Sequence, residues 1–181
     1  MLRHTMRIGA AMAACVLFAA TASAHGTRAE IARGRYLVSS IGCTDCHTPG
    51  HLLGHPDNAR YLAGSDVGFP IPGQGVFVGP NLTPDRTGLK DWTVAQIATA
   101  ITTGARPDGR ILAPVMPWRN FAHLTKSDAR DIALYLKSLA PVAHKVPGPF
   151  GPHETPGVLV MTVVPGSVYA ARQKPEKTAK R

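Results

Sequence analysis

The chain has 181 residues, with 20 Lys and Arg against 11 Asp and Glu, for a formal net charge of +9. That length suits one ordinary domain, and 44% apolar residues is an ordinary share for a globular protein. The 18 glycines and 16 prolines argue against a coiled coil and predict a domain in which loops carry much of the structure, while the composition as a whole fits neither collagen nor wholesale disorder.

Residues 1–24 read as a secretory signal peptide. Arg3 and Arg7 precede a run of apolar and small residues over 8–20, and Ala22-Ser23-Ala24 supplies a small-x-small cleavage site. The run is short for a bilayer span. The rival reading is a lipoprotein acylated at Cys15, against which the apolar run continues past that residue. Removal of the leader leaves Cys43 and Cys46 as the remaining cysteines and Met116 and Met161 as the remaining methionines. The longest later apolar run, residues 157–164, is too short to cross a membrane. The expectation is therefore an exported, periplasmic protein with no transmembrane anchor and at most peripheral membrane contact.

Residues 29–41 predict a helix, with Ile31, Ala32, Val38 and Ile41 near one stripe. Gly34 lies inside it. An interior glycine costs roughly 1 kcal/mol relative to alanine, and close approach of another backbone is the usual gain. Gly42 ends the helix. Residues 48–80 read as loops and short extended pieces, with a short strand pair over 71–78 around Gly73-Gln74-Gly75. Thr93 and Gln96 form a capping box for a helix over 94–103, burying Val94, Ile97, Ala98 and Ile101 and stopped by Gly104. Residues 105–123 are a second loop. Thr125 caps a last helix that runs to about Leu139, with Ile132, Tyr135, Leu136 and Leu139 on one face, and Pro141 prevents its continuation. Residues 25–142 thus form the domain, and residues 143–181 a Pro/Gly-rich extension, partly ordered, with a flexible basic end. No internal repeat is evident.

The chemistry lies in Cys43-Thr44-Asp45-Cys46-His47. C-x-x-C-H is the spacing of covalent haem attachment. Each thiol adds to one haem vinyl group, and two intervening residues set the sulfurs apart across the ring edge. His47 then falls under the iron as an axial ligand. A thioredoxin-like pair would want a βαβ setting, which is not visible. Zinc remains a rival, because Cys43, Cys46, His51 and His55 have the spacing of four tetrahedral ligands. Export and the adjacency of His47 favour haem, which leaves His51 and His55 as loop histidines. Met116, between Pro114 and Pro117, is the candidate second axial ligand, with His123 and His144 as alternatives. The other His47 nitrogen needs an acceptor, expected to be a backbone carbonyl near Pro49. Arg106, Arg110, Trp92 and Trp118 are candidate donors to the haem propionates, or else solvated charges and apolar packing.

The chain resembles class I c-type cytochromes, and more narrowly the cytochrome c domains of bacterial alcohol, aldehyde and sugar-acid dehydrogenase cytochrome subunits. The matching stretches span residues 30–142. They include Gly34-Arg35-Tyr36-Leu37-Val38, the haem motif, Pro80-Asn81-Leu82-Thr83-Pro84-Asp85, Gly104-Ala105-Arg106-Pro107-Asp108-Gly109-Arg110, Met116-Pro117-Trp118 and Ala133-Leu134-Tyr135-Leu136-Lys137-Ser138-Leu139. Those subunits usually carry three such domains and a C-terminal anchor, whereas this sequence holds one haem motif. The resemblance implies an all-α, class I cytochrome c fold, with few helices and long Pro/Gly-rich loops around one haem c. In it the first and last helices cross at Gly34, Cys43 and Cys46 hold the haem covalently, and His47 and Met116 ligate the iron. The implied function is a monohaem electron carrier rather than an enzyme, with a dehydrogenase as donor and an oxidase or another cytochrome as acceptor. The basic charge fits an acidic redox partner. Nucleic acid is not expected, because aromatic residues other than Tyr169 do not interleave with the basic tail.

Overall fold

The structure is a computed structural model that describes residues 26–173. The expected leader and the end of the basic tail lie outside the described residues. Within them the chain forms helices α1 (Arg28–Ser40), α2 (Cys43–His47), α3 (Val94–Thr103), α4 (Trp118–Phe121), α5 (Lys126–Ser138) and α6 (Gly166–Arg172). Strands β1 (Val67–Ile71), β2 (Gly75–Val78) and β3 (Leu159–Val160) make a small sheet of order β2-β1-β3.

Local signals decide the helix ends. Thr27 and Glu30 close a capping box at the start of α1, and Thr93 and Gln96 close another at α3. Gly104 stops α3 at φ 77°, a left-handed conformation open to glycine. Thr125 accepts from the Asp128 amide at the start of α5.

The crossing of α1 over α5 organises the core. At Gly34 an added Cβ would stand 2.0 Å from the Asp131 carbonyl oxygen and 2.8 Å from Tyr135 Cβ. Only glycine lets these two backbones come so close. Below the crossing Val38, Leu62, Ile97, Ile132 and Leu136 pack together, each almost wholly buried. Burying a side chain of this kind contributes about 1.5–3 kcal/mol. Ion pairs Arg33–Asp128 and Arg130–Glu30 flank the crossing at its exposed edge. Exposed pairs of this sort add little stability and here set the register of the two helices.

The sheet extends what the sequence suggests. An antiparallel pair turns through Gly73, with Phe69 opposite Phe77, but β1 begins at Val67. Among the described residues helices outweigh strands, but the three-stranded sheet is an element that the all-α expectation lacked. β3 comes from the extension and pairs in parallel with β1, Val67 opposite Leu159. Its two residues are exposed and show no alternation, so nothing local marks them as a strand.

Gly34→Ala forces α1 and α5 apart against a backbone carbonyl. We expect a loss of at least about 1–3 kcal/mol, read as a lower midpoint in chemical denaturation. Wild-type stability in this variant would contradict the packing described.

Candidate functional site

The turn from α1 into α2 passes through Gly42 at φ 75°. It aims α2 inward, so that His47 is buried while Cys43 and Cys46 stay half-buried. His47 Nδ1 lies 2.8 Å from the Pro80 carbonyl oxygen, an acceptor only, so Nδ1–H donates and Nε2 keeps its lone pair. Burial holds the imidazole below its usual pKa, opposed in part by the Pro80 hydrogen bond. The ring is therefore neutral at physiological pH and fit to ligate a metal through Nε2.

The acceptor differs from the one expected near Pro49. The Pro49 carbonyl already accepts from the Asp57 amide at 2.9 Å, inside the loop that follows α2. Pro80 reaches His47 because Gly79 has no side chain: a Cβ there would stand 1.8 Å from the Cys46 carbonyl oxygen.

A cavity of about 670 Å³ opens beside α2, within the range of small-molecule and cofactor sites. Cys43, Cys46, His47 and Met116 all line it, with apolar side chains such as Leu82, Ile97 and Ile132. Burial pushes the Cys43 thiol up to about 12, and burial with the nearby Asp45 carboxylate raises Cys46. Both are thiols rather than thiolates at neutral pH. Met116 sits in a tight turn, its amide donating to Ala113 O at 2.9 Å and its carbonyl accepting from the Trp118 amide at 2.8 Å.

Arg106, Arg110 and Trp92 also line the cavity. Arg106 lies over the Trp92 ring at 5.5 Å, and Arg110 Nη2 pairs with Asp108 Oδ2 at 2.6 Å. That guanidinium holds the Asp108 carboxyl down at about 2. Trp118 is not among the lining residues. Its indole packs against Gly104 under the Arg119 guanidinium, and its buried Nε1 has no hydrogen-bond partner.

The remaining candidates are elsewhere. His51 pairs with Asp45 at 3.1 Å, and His55 is exposed. Among the described residues no three His, Cys, Asp or Glu side chains gather as a metal set, so the zinc spacing is not assembled. His123 is exposed, and His144 is turned to the Ala63 carbonyl. Met161 is exposed in the extension.

Sequence reasoning missed Phe69, Phe77 and residues 146–149, all in the cavity wall. It also missed Asn81, which is 1% exposed. Asn81 Nδ2 donates to Val142 O at 2.8 Å and Thr87 Oγ1 at 3.0 Å, and its Oδ1 accepts from the Thr83 amide at 2.9 Å. This one amide ties the loop after β2 to the start of the extension. A buried Asn in a loop is visible in sequence, but its partners sixty residues away are not.

The donor set fits a covalently attached haem. A buried neutral imidazole, a thioether and two thiols face one largely apolar cavity, and two guanidinium groups stand in its wall.

No family model matches the chain. Curated relatives do match it. It is 42% identical over 114 residues, 60% of its length, to a diheme cytochrome c-type protein of Cereibacter sphaeroides, covering 35% of that protein. It is 35% identical over 117 residues, 64% of its length, to the fructose dehydrogenase cytochrome subunit of Gluconobacter japonicus, covering 22% of that subunit. It is 32% identical over 145 residues, 77% of its length, to the cytochrome c subunit of the quinone alcohol dehydrogenase of Gluconacetobacter polyoxogenes, covering 29% of it. The chain therefore resembles c-type cytochromes. Its particular likeness is to the cytochrome subunits of bacterial alcohol, fructose and gluconate dehydrogenases. It spans about a third or less of the length of each of these relatives.

Asn81→Ala leaves the buried Thr83 amide without its partner and the Val142 carbonyl with only the longer contact from Thr83 Oγ1 at 3.4 Å. Each unsatisfied buried group costs about 1–3 kcal/mol, so the variant should melt well below the wild type. Hydrogen exchange of the 142–146 backbone should rise with it. Unchanged exchange there would show that Asn81 does not hold the segment.

Proposed function

We propose that the chain is a monohaem c-type cytochrome of the class I fold that carries single electrons in a periplasmic respiratory or dehydrogenase-linked chain. The observation that supports this best is the convergence of Cys43, Cys46, His47 and Met116 on one cavity. In this reading Cys43 and Cys46 would hold the haem covalently, and His47 and Met116 would ligate its iron. The haem supplies a one-electron Fe(III)/Fe(II) couple.

The chain's own groups do the rest. The Pro80 carbonyl orients His47 and fixes its tautomer. The Met116 turn presents the thioether from a constrained backbone, so little entropy is lost on ligation. Arg106, Arg110 and Trp92 are positioned to receive the propionates. With His47 and Met116 both holding the iron, substrate chemistry at the metal would be disfavoured, which would make the protein a carrier rather than a catalyst. The dehydrogenase relatives support a dehydrogenase as donor, with an oxidase or another cytochrome as acceptor. Without Arg3 and Arg7 of the leader the formal charge of +9 falls by two, and the basic balance that remains supports docking to an acidic partner.

The proposed organisation is a leader over residues 1–24 that is removed on export, a haem domain over 25–142 and an extension over 143–181. Among the described residues no helix is long and apolar enough to cross a membrane.

The test is an absorption spectrum of protein matured for covalent haem, oxidised and then reduced. A sharp reduced c-type spectrum, with the weak red sulfur-to-iron band in the oxidised form, is expected. Met116→Ala should lose that band and keep covalent haem, whereas Cys43→Ala with Cys46→Ala should lose covalent haem altogether. A red band that survives Met116→Ala would remove Met116 from the ligand set.

A further inference from the structure

Resting on the haem reading above, we infer that residues 146–149 of the extension are a wall of the haem site and help set its reduction potential by excluding water from it.

Val146, Pro147, Gly148 and Pro149 line the same cavity as Cys43, Cys46, His47 and Met116. They are held there from both sides. Upstream, the Val142 amide donates to Thr83 Oγ1 at 3.1 Å and the His144 amide to Thr87 Oγ1 at 3.1 Å, while His144 Nδ1 lies 2.7 Å from Ala63 O. Downstream, Phe150 exchanges two backbone hydrogen bonds with Val76 on β2, both 2.9 Å. Between these anchors Val146 sits directly on Gly64, where an added Cβ would meet Val146 Cγ2 at 2.1 Å.

The chemistry of the segment suits an apolar wall, with Val146 half-buried against Gly64 and Pro147, Gly148 and Pro149 exposed. It carries no charge, and Pro147 and Pro149 have no N–H to offer a water or an oxygen ligand. The oxidised form of the haem would bear one more positive charge than the reduced form, and an apolar wall would disfavour that charge. Excluding water therefore raises the potential, one of the levers by which a protein tunes a haem.

The experiment uses the full-length holoprotein and reads the midpoint potential, with covalent haem checked on a denaturing gel. Val146→Asp puts a carboxylate into the wall and should lower the potential. Val163→Asp adds the same charge at a fully exposed position of the extension and should leave it where it is. Val146→Ser, a milder polar change, should lower it by a smaller amount, and it decides the matter alone if Val146→Asp does not take up haem. Haem-loaded Val146 variants at the wild-type potential would overturn the inference, as would an equal shift in Val163→Asp. Wild-type protein without covalent haem would instead bring down the reading of Cys43 and Cys46, and this inference with it.

Discussion

The hydrogen bond from His47 Nδ1 to the Pro80 carbonyl is the constraint on which the site depends. It fixes which ring nitrogen is free, and so where a ligated metal must stand. It also demands that the loop after β2 come within reach of α2, which is why position 79 tolerates no side chain against the Cys46 carbonyl. Once that loop is placed, Asn81 follows at a fixed distance and captures Val142, and the extension is brought to the cavity. The hairpin, the loop and the extension are consequences of seating one imidazole.

The α1–α5 crossing performs the matching task for the other side of the molecule. The core below Gly34 supplies most of the favourable burial, and Ile132 and Leu136 face the cavity as well as the core. Packing stability and site shape are thus carried by the same side chains. A substitution in this region changes both, and a variant with altered spectroscopy there is not by that fact a variant of a ligand.

The parts legible in the sequence share one property: their signals are local. The helix over 94–103 has a capping box at one end and a glycine at the other, and both ends fall where those residues stand. The helix around Gly34 is marked by its apolar stripe and the one around Tyr135 by a cap and a stripe, and the close approach at Gly34 follows from the cost of a glycine in a helix. Cys43, Cys46 and His47 form one short motif, and Met116 stands out because Met161 is the one other methionine after residue 24. What escaped sequence reading is long-range. The acceptor for His47 is thirty-three residues away, the partner of β1 is a two-residue strand from the extension, and residues 146–149 have a composition that marks a loop and nothing more. Trp118 shows the converse failure, since its place beside Met116 suggests the cavity while its ring packs against Gly104.

The ion pair Arg33–Asp128 joins residues ninety-five apart, and it flanks the contact that holds the core together. Nearly the whole domain lies between these partners. Closing so long a loop is entropically slow, because nothing local rewards it until the two helices meet. α2, by contrast, follows α1 within a few residues and can take shape early. A chain in which α5 has yet to dock lacks Ile132 and Leu136 in the cavity wall, so the pocket around Cys43, Cys46 and His47 takes its shape only when that contact across ninety-five residues is made.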